Sequence, residues 1–396
     1  MVEAFLDHEK KEDTRICQIR GKPFQGISPP VKDPAIFAKV LMVHGVGNHI
    51  PGYSTQLMEK LADKMALNYT GKITKNIALT DPFDTTKKLG NLRINQLTNE
   101  DKSHELLFYE LTWSEITAAE KAVLSYDNSG EYSFRRATIN DTLKKFTNDT
   151  APDPMIYLGD SREDILISFA QSFCWMVAAQ WDDLPATSNQ PCIPSQLAIE
   201  NMQKDHYVFI SHSLGSRITI DGLQRLAALF ADIKNNVRGQ SLDYAEELVQ
   251  AFKGKHIPIF MLSNQLPMLQ LGRKLPEVTG QWGAYCRADG EHYNSRILSE
   301  TSIIAFSDPN DVLSYAIPHG FVDQYIDSRL CVKATNININ VAKIIDLFGV
   351  DLANPLEAHV AYETDERIIA LMANGVGNEN ASPIISERCQ TLITSD

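Results

Sequence analysis

The sequence predicts an α/β protein built on a doubly wound, mostly parallel sheet. Three short runs, residues 36–43, 207–210 and 257–262, are nearly apolar throughout, as the central strands of parallel sheets are. Segments with apolar residues at helical spacing separate such runs, and this alternation is typical of parallel α/β sheets. Sites in these sheets form where loops leave the carboxyl ends of the strands, so we expect the functional residues there.

The remaining elements are predicted from the same spacing of apolar residues. Residues 1–34 end in a proline-rich approach, and residues 70–103 are polar and expected to be rich in loops. Residues 265–300 contain several glycines and are expected to be irregular. Further strands are predicted at 104–113 and 302–306, and helices at 54–68, 115–126, 134–147, 161–181, from 214 onward, 339–348 and 364–373.

Composition and charge narrow the possible partners. Hydrophobic residues make up 43% of the chain and charged residues 22%, which is ordinary for a soluble globular protein. The net charge of −13 argues against nucleic-acid binding and against electrostatic attachment to anionic lipid. Met1 to Arg20 lacks the apolar core of a signal peptide, and the sequence has no uninterrupted apolar run of ~18 residues. We therefore expect a cytoplasmic protein without a transmembrane helix, with export by a signal-independent route left open.

The cysteines are scattered along the chain without a C-x-x-C pair. This spacing disfavours both a disulfide framework and a zinc site, and it fits a reducing compartment. We expect neither a metal nor an organic cofactor. The six cysteines are Cys17, Cys174, Cys192, Cys286, Cys331 and Cys389.

Residues 206–226 carry the strongest chemical signal. The run Ser211-His212-Ser213-Leu214-Gly215 stands between a predicted strand and a predicted helix. It differs by one residue from Gly-x-Ser-x-Gly, the sharp strand-to-helix turn that presents a nucleophilic serine. Ser213 is the candidate nucleophile. The alternative is an ordinary turn in which Ser213 caps the following helix.

A nucleophilic serine needs an imidazole to take its proton and a carboxylate to orient that imidazole. With this type of turn the three groups follow in the chain order nucleophile, acid, base. Asp308 and Asp311 compete as the acid after the last predicted strand, and we expect Asp308 to cap the turn and Asp311 to face the site. Of the later histidines, His319 is too close to the acid, so His359 is the candidate base.

The oxyanion formed in acyl transfer needs two backbone N–H donors. Leu214, directly after the nucleophile, is one candidate, and Val46 in the loop after the first strand is the other. The glycines of residues 44–47 could instead cradle a phosphate, but the G-x-G-x-x-G spacing and a P-loop lysine are missing. His44 and His49 could suggest a metal site, but no carboxylate or cysteine stands at matching spacing.

Residues 36–49, 206–226, 308–318 and 359–375 together resemble the α/β-hydrolase superfamily, in its lipase-like branch. The run 310–318, in which an aspartate precedes an apolar pair and then a proline, is similar to the acid loop of triacylglycerol lipases. The resemblance covers about a third of the chain and departs from the motif at Ser211. It implies Ser213 as nucleophile, Asp311 as acid, His359 as base, and Val46 and Leu214 as oxyanion donors.

Residues 114–203 are longer than the one crossover helix that a parallel sheet requires. We therefore expect a mainly helical cap inserted between residues 1–113, which carry the oxyanion loop, and residues 204–396, which carry the nucleophile, acid and base. The apolar stretch 164–181 is interpreted either as a lid helix over an acyl pocket or as a helix buried between cap and sheet. An apolar wall beside the serine favours hydrophobic acyl esters.

The resulting hypothesis is a serine esterase, lipase or phospholipase that acts on lipid-like carboxylic esters through an acyl-enzyme on Ser213. A transient contact with a membrane surface is compatible with such substrates. Two alternatives stay open. One is an inactive binding protein with the hydrolase fold, against which the order of Ser213, Asp311 and His359 argues. The other is a peptidase or acyltransferase that uses the same triad.

Overall fold

The computed structural model describes residues 17–128, 137–236, 245–347, 349–377 and 381–392 of the 396-residue chain. Residues 1–16, the first three residues of the predicted helix 134–147, and residue 348 of the predicted helix 339–348 lie outside this part. The strands are β1 (Cys17–Arg20), β2 (Phe24–Gln25), β3 (Phe37–Val43), β4 (Asn68–Thr80), β5 (Lys88–Thr98), β6 (Glu105–Thr112), β7 (Thr187–Ser188), β8 (Asp205–His212), β9 (His256–Leu262), β10 (Glu300–Ser307), β11 (Val332–Asn338), β12 (Ile344–Leu347), β13 (Val350–Ala353), β14 (Gly375–Val376) and β15 (Cys389–Leu392). The α-helices are α1 (Ser28–Lys32), α2 (Thr55–Lys64), α3 (Glu115–Lys121), α4 (Thr138–Thr150), α5 (Pro152–Ile156), α6 (Ser161–Ala178), α7 (Gln196–Lys204), α8 (Leu214–Asn236), α9 (Ala245–Lys253), α10 (Leu266–Leu269), α11 (Trp282–Cys286), α12 (Phe321–Tyr325), α13 (Pro355–Val360), α14 (Glu366–Asn374) and α15 (Pro383–Arg388).

Within the described residues, eleven strands form one mixed sheet in the order β15-β1-β11-β10-β9-β8-β3-β6-β5-β4-β7. The neighbours from β11 to β6 are all parallel, whereas β5 is antiparallel to both β6 and β4. The predicted mostly parallel α/β sheet is therefore confirmed. The chain reaches β6 on one side of β3 and β8 on the other, so the strand order reverses between β3 and β8, which is where sites form in such sheets.

Helices cover both faces of this sheet, and the alternation of side chains along β3 shows how. Val43 packs into the core on one face with Ile218 of α8. Its neighbour Met42 points to the opposite face and packs into the core that includes Leu371 of α14. Because successive side chains of a strand point to opposite faces, a central strand must be apolar at every position to serve both cores.

Residues 70–103 are not the loop-rich stretch that the sequence predicts. β4 and β5 form a long antiparallel pair there, and β5 continues the sheet beyond β6. Within β5, Leu92 and Ile94 are buried and Arg93 between them is partly exposed. A strand with one polar face has only half of its positions apolar, which gives it the polar composition of a loop.

The helix predicted at 339–348 is wrong. β12 and β13 form an antiparallel hairpin in this region, with Ile345 opposite Leu352. Gly349 in the turn has a φ of 82°, a conformation that favours glycine. A short apolar run does not distinguish strand from helix by its spacing alone. β11, which lies beside β10, is an additional strand absent from the sequence prediction.

The apolar stretch 164–181 largely coincides with α6, which packs against the sheet. Phe169 of α6 is fully buried, and its ring lies 5.6 Å from the ring of Phe209 in β8. The structure therefore supports the buried-helix interpretation of this stretch over the lid. In the part of the chain that the structure describes, neither α6 nor any other helix is long and apolar enough to span a membrane.

All of the cysteines are paired, so the expectation that disulfides are absent is wrong. Three bridges form, with Cα–Cα distances of 4.4, 5.9 and 5.3 Å that suit disulfides. The bridged residues lie 372, 18 and 45 positions apart, and such unequal separations give no recognisable motif in the sequence. The pairs are Cys17–Cys389, Cys174–Cys192 and Cys286–Cys331.

Candidate active site

Ser213 lies in the sharp turn between β8 and α8. Its φ is 54°, a left-handed value that is uncommon for a residue with a β-carbon and marks local strain. The Ser213 N–H donates to the carbonyl of Leu262 in β9 at 2.9 Å, which ties the turn to the next strand. Ser213 Oγ has no hydrogen-bond partner among the described residues. The hydroxyl therefore does not cap α8, as the ordinary-turn interpretation would require.

Two glycines allow this turn to pack directly against the end of β3. A β-carbon on Gly45 would lie 2.6 Å from Ser213 Cβ, and one on Gly215 would lie 2.7 Å from the carbonyl oxygen of His44. Both contacts are too close for any residue but glycine. Ser211, where the motif has its first glycine, is fully buried in β8. The loop after β3 therefore lies directly against the candidate nucleophile.

His359 and Asp311 come together although they are distant in sequence. Nδ1 of His359 lies 3.0 and 3.2 Å from the two carboxylate oxygens of Asp311. His359 lies on α13. Asn354 is the N-cap of this helix, and its side-chain oxygen accepts the N–H of Leu356. A carboxylate partner requires the proton on Nδ1, which leaves Nε2 of the imidazole free to accept one.

Ser263 joins this pair and was not predicted. Its hydroxyl donates to Asp311 Oδ2 at 2.6 Å and lies 3.0 Å from Nδ1 of His359, whose N–H it can accept. Burial alone would raise the pKa of Asp311, but the bonds from His359 and Ser263 help to hold that pKa below its ordinary value. No motif marks Ser263; its only sequence signal is its place directly after a central strand.

Asp308, the alternative acid, is occupied by its own loop. Its Oδ1 accepts the N–H of Asn310 at 2.7 Å, as the turn-capping role predicts. Its Oδ2 accepts the N–H groups of Val341 and Ala342 at 2.7 and 3.0 Å. The structure therefore directs Asp311, and not Asp308, toward the imidazole.

Two further side chains support the acid–base pair. Tyr362 donates its hydroxyl to Asp311 Oδ2 at 3.1 Å, and burial together with the Asp311 charge raises the Tyr362 pKa, so the phenol stays protonated. His212 donates from Nε2 to the backbone carbonyl of His359 at 2.8 Å. Burial, reinforced by His359, lowers the pKa of His212 to about 3, so its ring is neutral at pH 7.

Val46, the candidate oxyanion donor after β3, lies in a loop whose peptide planes are fixed by two histidines. Nδ1 of His44 bonds the carbonyl of Gly45 at 2.7 Å, and Nε2 of His49 bonds the carbonyl of Val46 at 3.1 Å. Because C=O and N–H point in opposite directions in a trans peptide, holding the Gly45 carbonyl also directs the Val46 N–H. The N–H of Trp113 donates to Nε2 of His44 at 3.1 Å, which places the His44 proton on Nδ1. Burial lowers the pKa of both histidines and keeps their rings neutral.

The next peptide of the loop is held from the insertion. The Gly47 N–H donates to Asp153 Oδ2 of α5 at 2.7 Å. Asp153 is fully buried and forms an ion pair with Lys121 of α3 at 3.0 Å. Helices α3 and α5, which belong to the predicted cap, therefore hold the loop that carries Val46, the candidate oxyanion donor.

The two atoms that would react in acyl transfer have no hydrogen-bond partner among the described residues. Ser213 Oγ and His359 Nε2 are both buried, and neither has a partner within the described ranges. The N–H of Leu214 stands at the start of α8, where backbone donors have no acceptor inside the helix. A nucleophile, an oriented base and two backbone donors are together the requirements for acyl transfer.

No group of three or more histidine, cysteine, aspartate or glutamate side chains in the described residues is placed to hold a metal ion. His44 and His49, the pair considered as metal ligands, instead bond backbone carbonyls. Comparison with known proteins adds no relative: no protein-family model, no curated protein and no solved structure matches the chain.

Proposed function

We propose that the chain is a serine hydrolase that cleaves carboxylic esters through an acyl-enzyme on Ser213. One observation carries the proposal. At the carboxyl end of the sheet, a serine stands in a left-handed turn and a histidine is oriented by Asp311, and within the described part of the chain neither Ser213 Oγ nor His359 Nε2 has a hydrogen-bond partner. What separates Ser213 from other buried hydroxyls is its strained turn after β8, and what separates His359 is its bond to Asp311.

In the proposed mechanism, Ser213 Oγ attacks the ester carbonyl carbon while His359 Nε2 takes its proton. Asp311 stabilises the resulting imidazolium, and the N–H groups of Val46 and Leu214 bind the oxyanion. His359 then gives the proton to the departing alcohol, which leaves the acyl group on Ser213. Water attacks the acyl-enzyme as His359 takes its proton, and collapse of the second intermediate releases the acid and restores the serine.

The order of the strands supports the α/β-hydrolase fold as the finer assignment. The nucleophile follows β8, the acid follows β10 and the base follows β11, which gives the chain order typical of that fold. The loop after β3, the immediate neighbour of β8, supplies the second oxyanion donor in the proposal. The boundaries 1–113, 114–203 and 204–396 stay a prediction.

Exposed apolar side chains support lipid-like esters as the substrates. Several stand beside residues of the candidate site: Val312 follows Asp311, Val360 follows His359, and Met155 lies on α5, which contacts Gly47. Large exposed apolar groups near a site favour apolar ligands or a transient contact with a membrane surface. The examples considered, with 59% to 77% of their surface accessible, are Ile50, Met155, Leu271, Val312 and Val360.

The three disulfides provide evidence about the cellular compartment in which the protein acts. The cytoplasmic location stays a prediction, and three disulfides argue against it, because cytosolic thiols are normally kept reduced. We propose an oxidising compartment as the place of action. Alkylation of free thiols in freshly lysed cells tests this: labelled cysteines in the folded protein would contradict it.

The test of function is ester turnover across acyl chain lengths for the native protein and Ser213→Ala, with folding checked by circular dichroism. Ser211→Ala is the matched control, because it removes another buried, unpaired hydroxyl two residues away. We expect Ser213→Ala to lose about 10⁶-fold in kcat and Ser211→Ala to stay near the native rate. Equal turnover in Ser213→Ala, or none in the native protein, would refute the proposal and favour the binding-protein alternative.

The same assay separates the remaining alternatives. Faster turnover of long than of short acyl chains indicates a lipase, and the reverse indicates a small-ester esterase. Release of peptide products, or transfer of the acyl group to an added alcohol in preference to water, would indicate the peptidase or the acyltransferase.

A further inference from the structure

A second cluster of charged side chains surrounds Asp221, two turns along α8. The Asp221 carboxylate is buried and pairs with Arg217 at 2.6 Å, with Arg162 at 3.1 Å and with Arg273. The hydroxyl of Tyr157 also donates to it, at 2.8 Å. The three arginines come from α8, from the first turn of α6 and from the segment after α10, so three separate parts of the chain meet here.

The charges in this arginine cluster, Arg162, Arg217 and Arg273 around Asp221, do not balance. Among the described residues no other carboxylate forms an ion pair with any of the three arginines. One negative charge therefore faces three positive charges. Arg217 has only 2% of its surface exposed, and it shares its one counter-charge, Asp221, with the other two arginines.

The cluster also has hydrogen-bond donors without acceptors. Arg217 Nη1 donates to Gln270 Oε1 at 2.6 Å, which fixes the two side chains together. Arg217 Nε and Gln270 Nε2 are buried and have no partner in the described part of the chain. Both residues are at least nine-tenths buried. Unmatched donors beside unmatched positive charge call for an acceptor that is itself negative.

Charge and geometry select among anions. An excess of two positive charges matches a phosphate group, which carries about −1.5 to −2 at pH 7 and offers three acceptor oxygens. Planar guanidinium groups pair with such oxygens through two N–H donors at once. Arg162 is the solvent-facing member of the cluster, because 38% of its side chain is exposed. A carboxylate would neutralise only half of the excess.

We propose that the arginine cluster, together with Gln270, binds a phosphate group. The site is distinct from the candidate acyl-transfer residues, since the ion pairs and the hydrogen bond that define it involve none of Ser213, Asp311 and His359. Arg217 nevertheless lies four residues after Ser213 on the same helix, about one turn away. Binding of the phosphate does not depend on whether esters are cleaved.

The test is thermal unfolding in millimolar inorganic phosphate, against sodium chloride at equal ionic strength. Millimolar phosphate is too dilute for the general stabilising effect of such salts. We expect the native Tm to rise by about 2 °C at ten times the Kd, and Arg273→Gln to abolish this rise. Arg225→Gln is the matched control: Arg225 is also on α8 but is exposed and pairs with Glu163, outside the cluster, so this variant keeps the rise.

Arg162→Gln serves as a second variant, because its more exposed side chain can be replaced without emptying the buried part of the cluster, and it reduces the rise. Repeating the titration with glycerol 3-phosphate identifies the source of the group. An equal rise shows that the site accepts a phosphate carried on a larger molecule, and a rise with inorganic phosphate alone limits it to the free ion. The proposal would be overturned if neither compound raised the native Tm. It would also be overturned if Arg273→Gln and Arg162→Gln showed the same rise as the native protein.

Discussion

Replacing His212 by Gln should make the protein more resistant to acid. The His212 ring is buried beside His359 and Asp311, and its Nε2 donates to the carbonyl of His359. Glutamine places an N–H donor at nearly the same distance from the backbone, so this hydrogen bond can be kept while the titrating ring is lost. The comparison therefore isolates the protonation of one buried imidazole.

The sign follows from the lowered pKa. The pKa of His212 is about 3 in the folded chain against 6.5 in the unfolded chain, so between these values only the unfolded chain binds the proton. Native stability is then lost as pH falls below 6.5, by about 1.4 kcal/mol per pH unit. At pH 4.5 the loss reaches about 3 kcal/mol, and His212→Gln should escape it.

The measurement is urea unfolding of both proteins at pH 7.5, 5.5 and 4.5, with the disulfides intact. We expect the difference in free energy of unfolding to move in favour of the variant by about 1 kcal/mol at pH 5.5 and about 3 kcal/mol at pH 4.5. His319→Gln, at an exposed histidine of the acid loop, controls for the substitution itself. A difference that stays constant with pH would refute the reasoning.

Three further predictions concern the site and its supports. Ser263→Ala should lower kcat about 10- to 100-fold in ester assays and leave KM unchanged, because the variant loses the hydrogen bonds of Ser263 to Asp311 and His359. A change in KM alone would contradict this role. Asp153→Asn should lower the free energy of unfolding in urea by about 3–5 kcal/mol, because it leaves Lys121 buried without a counter-charge; full stability would show that the pair is not needed. The double variant Cys174→Ser/Cys192→Ser should lose about 3 kcal/mol of free energy of unfolding by the chain-entropy relation, again measured in urea. An unchanged unfolding midpoint in non-reducing buffer would contradict the disulfide.

The central strands could be predicted because burial on both faces requires continuous apolar runs. β3, β8, β9 and β10 each have this character, and the candidate nucleophile and acid follow two of them. Turn chemistry predicted that Asp308 would cap its own turn and that Asp311 would face the site. The hydrogen bonds agree, because Asp308 accepts the Asn310 N–H and Asp311 bonds His359. For these elements, local pattern and tertiary environment favour the same outcome.

The features of the fold and the site that the sequence does not predict depend on tertiary contacts, which the local sequence pattern does not record. Ser263 is one serine among many until β9 and β10 bring it to Asp311. Asp153 is marked by nothing in its neighbourhood, because its partners Gly47 and Lys121 come from other segments. The disulfides are similar, since Cys17 finds its partner only after the edge strands β1 and β15 pair.

The bridge between β1 and β15 makes the polypeptide covalently circular over almost its whole length. Its two cysteines stand 372 positions apart, and every residue of the candidate active site lies between them. A protease that cuts one loop inside this circle would linearise the molecule without dividing it, so Ser213 and His359 would remain on a single covalent species. Two cuts, or one cut followed by reduction of the bridge, would be needed before the halves of the site could part.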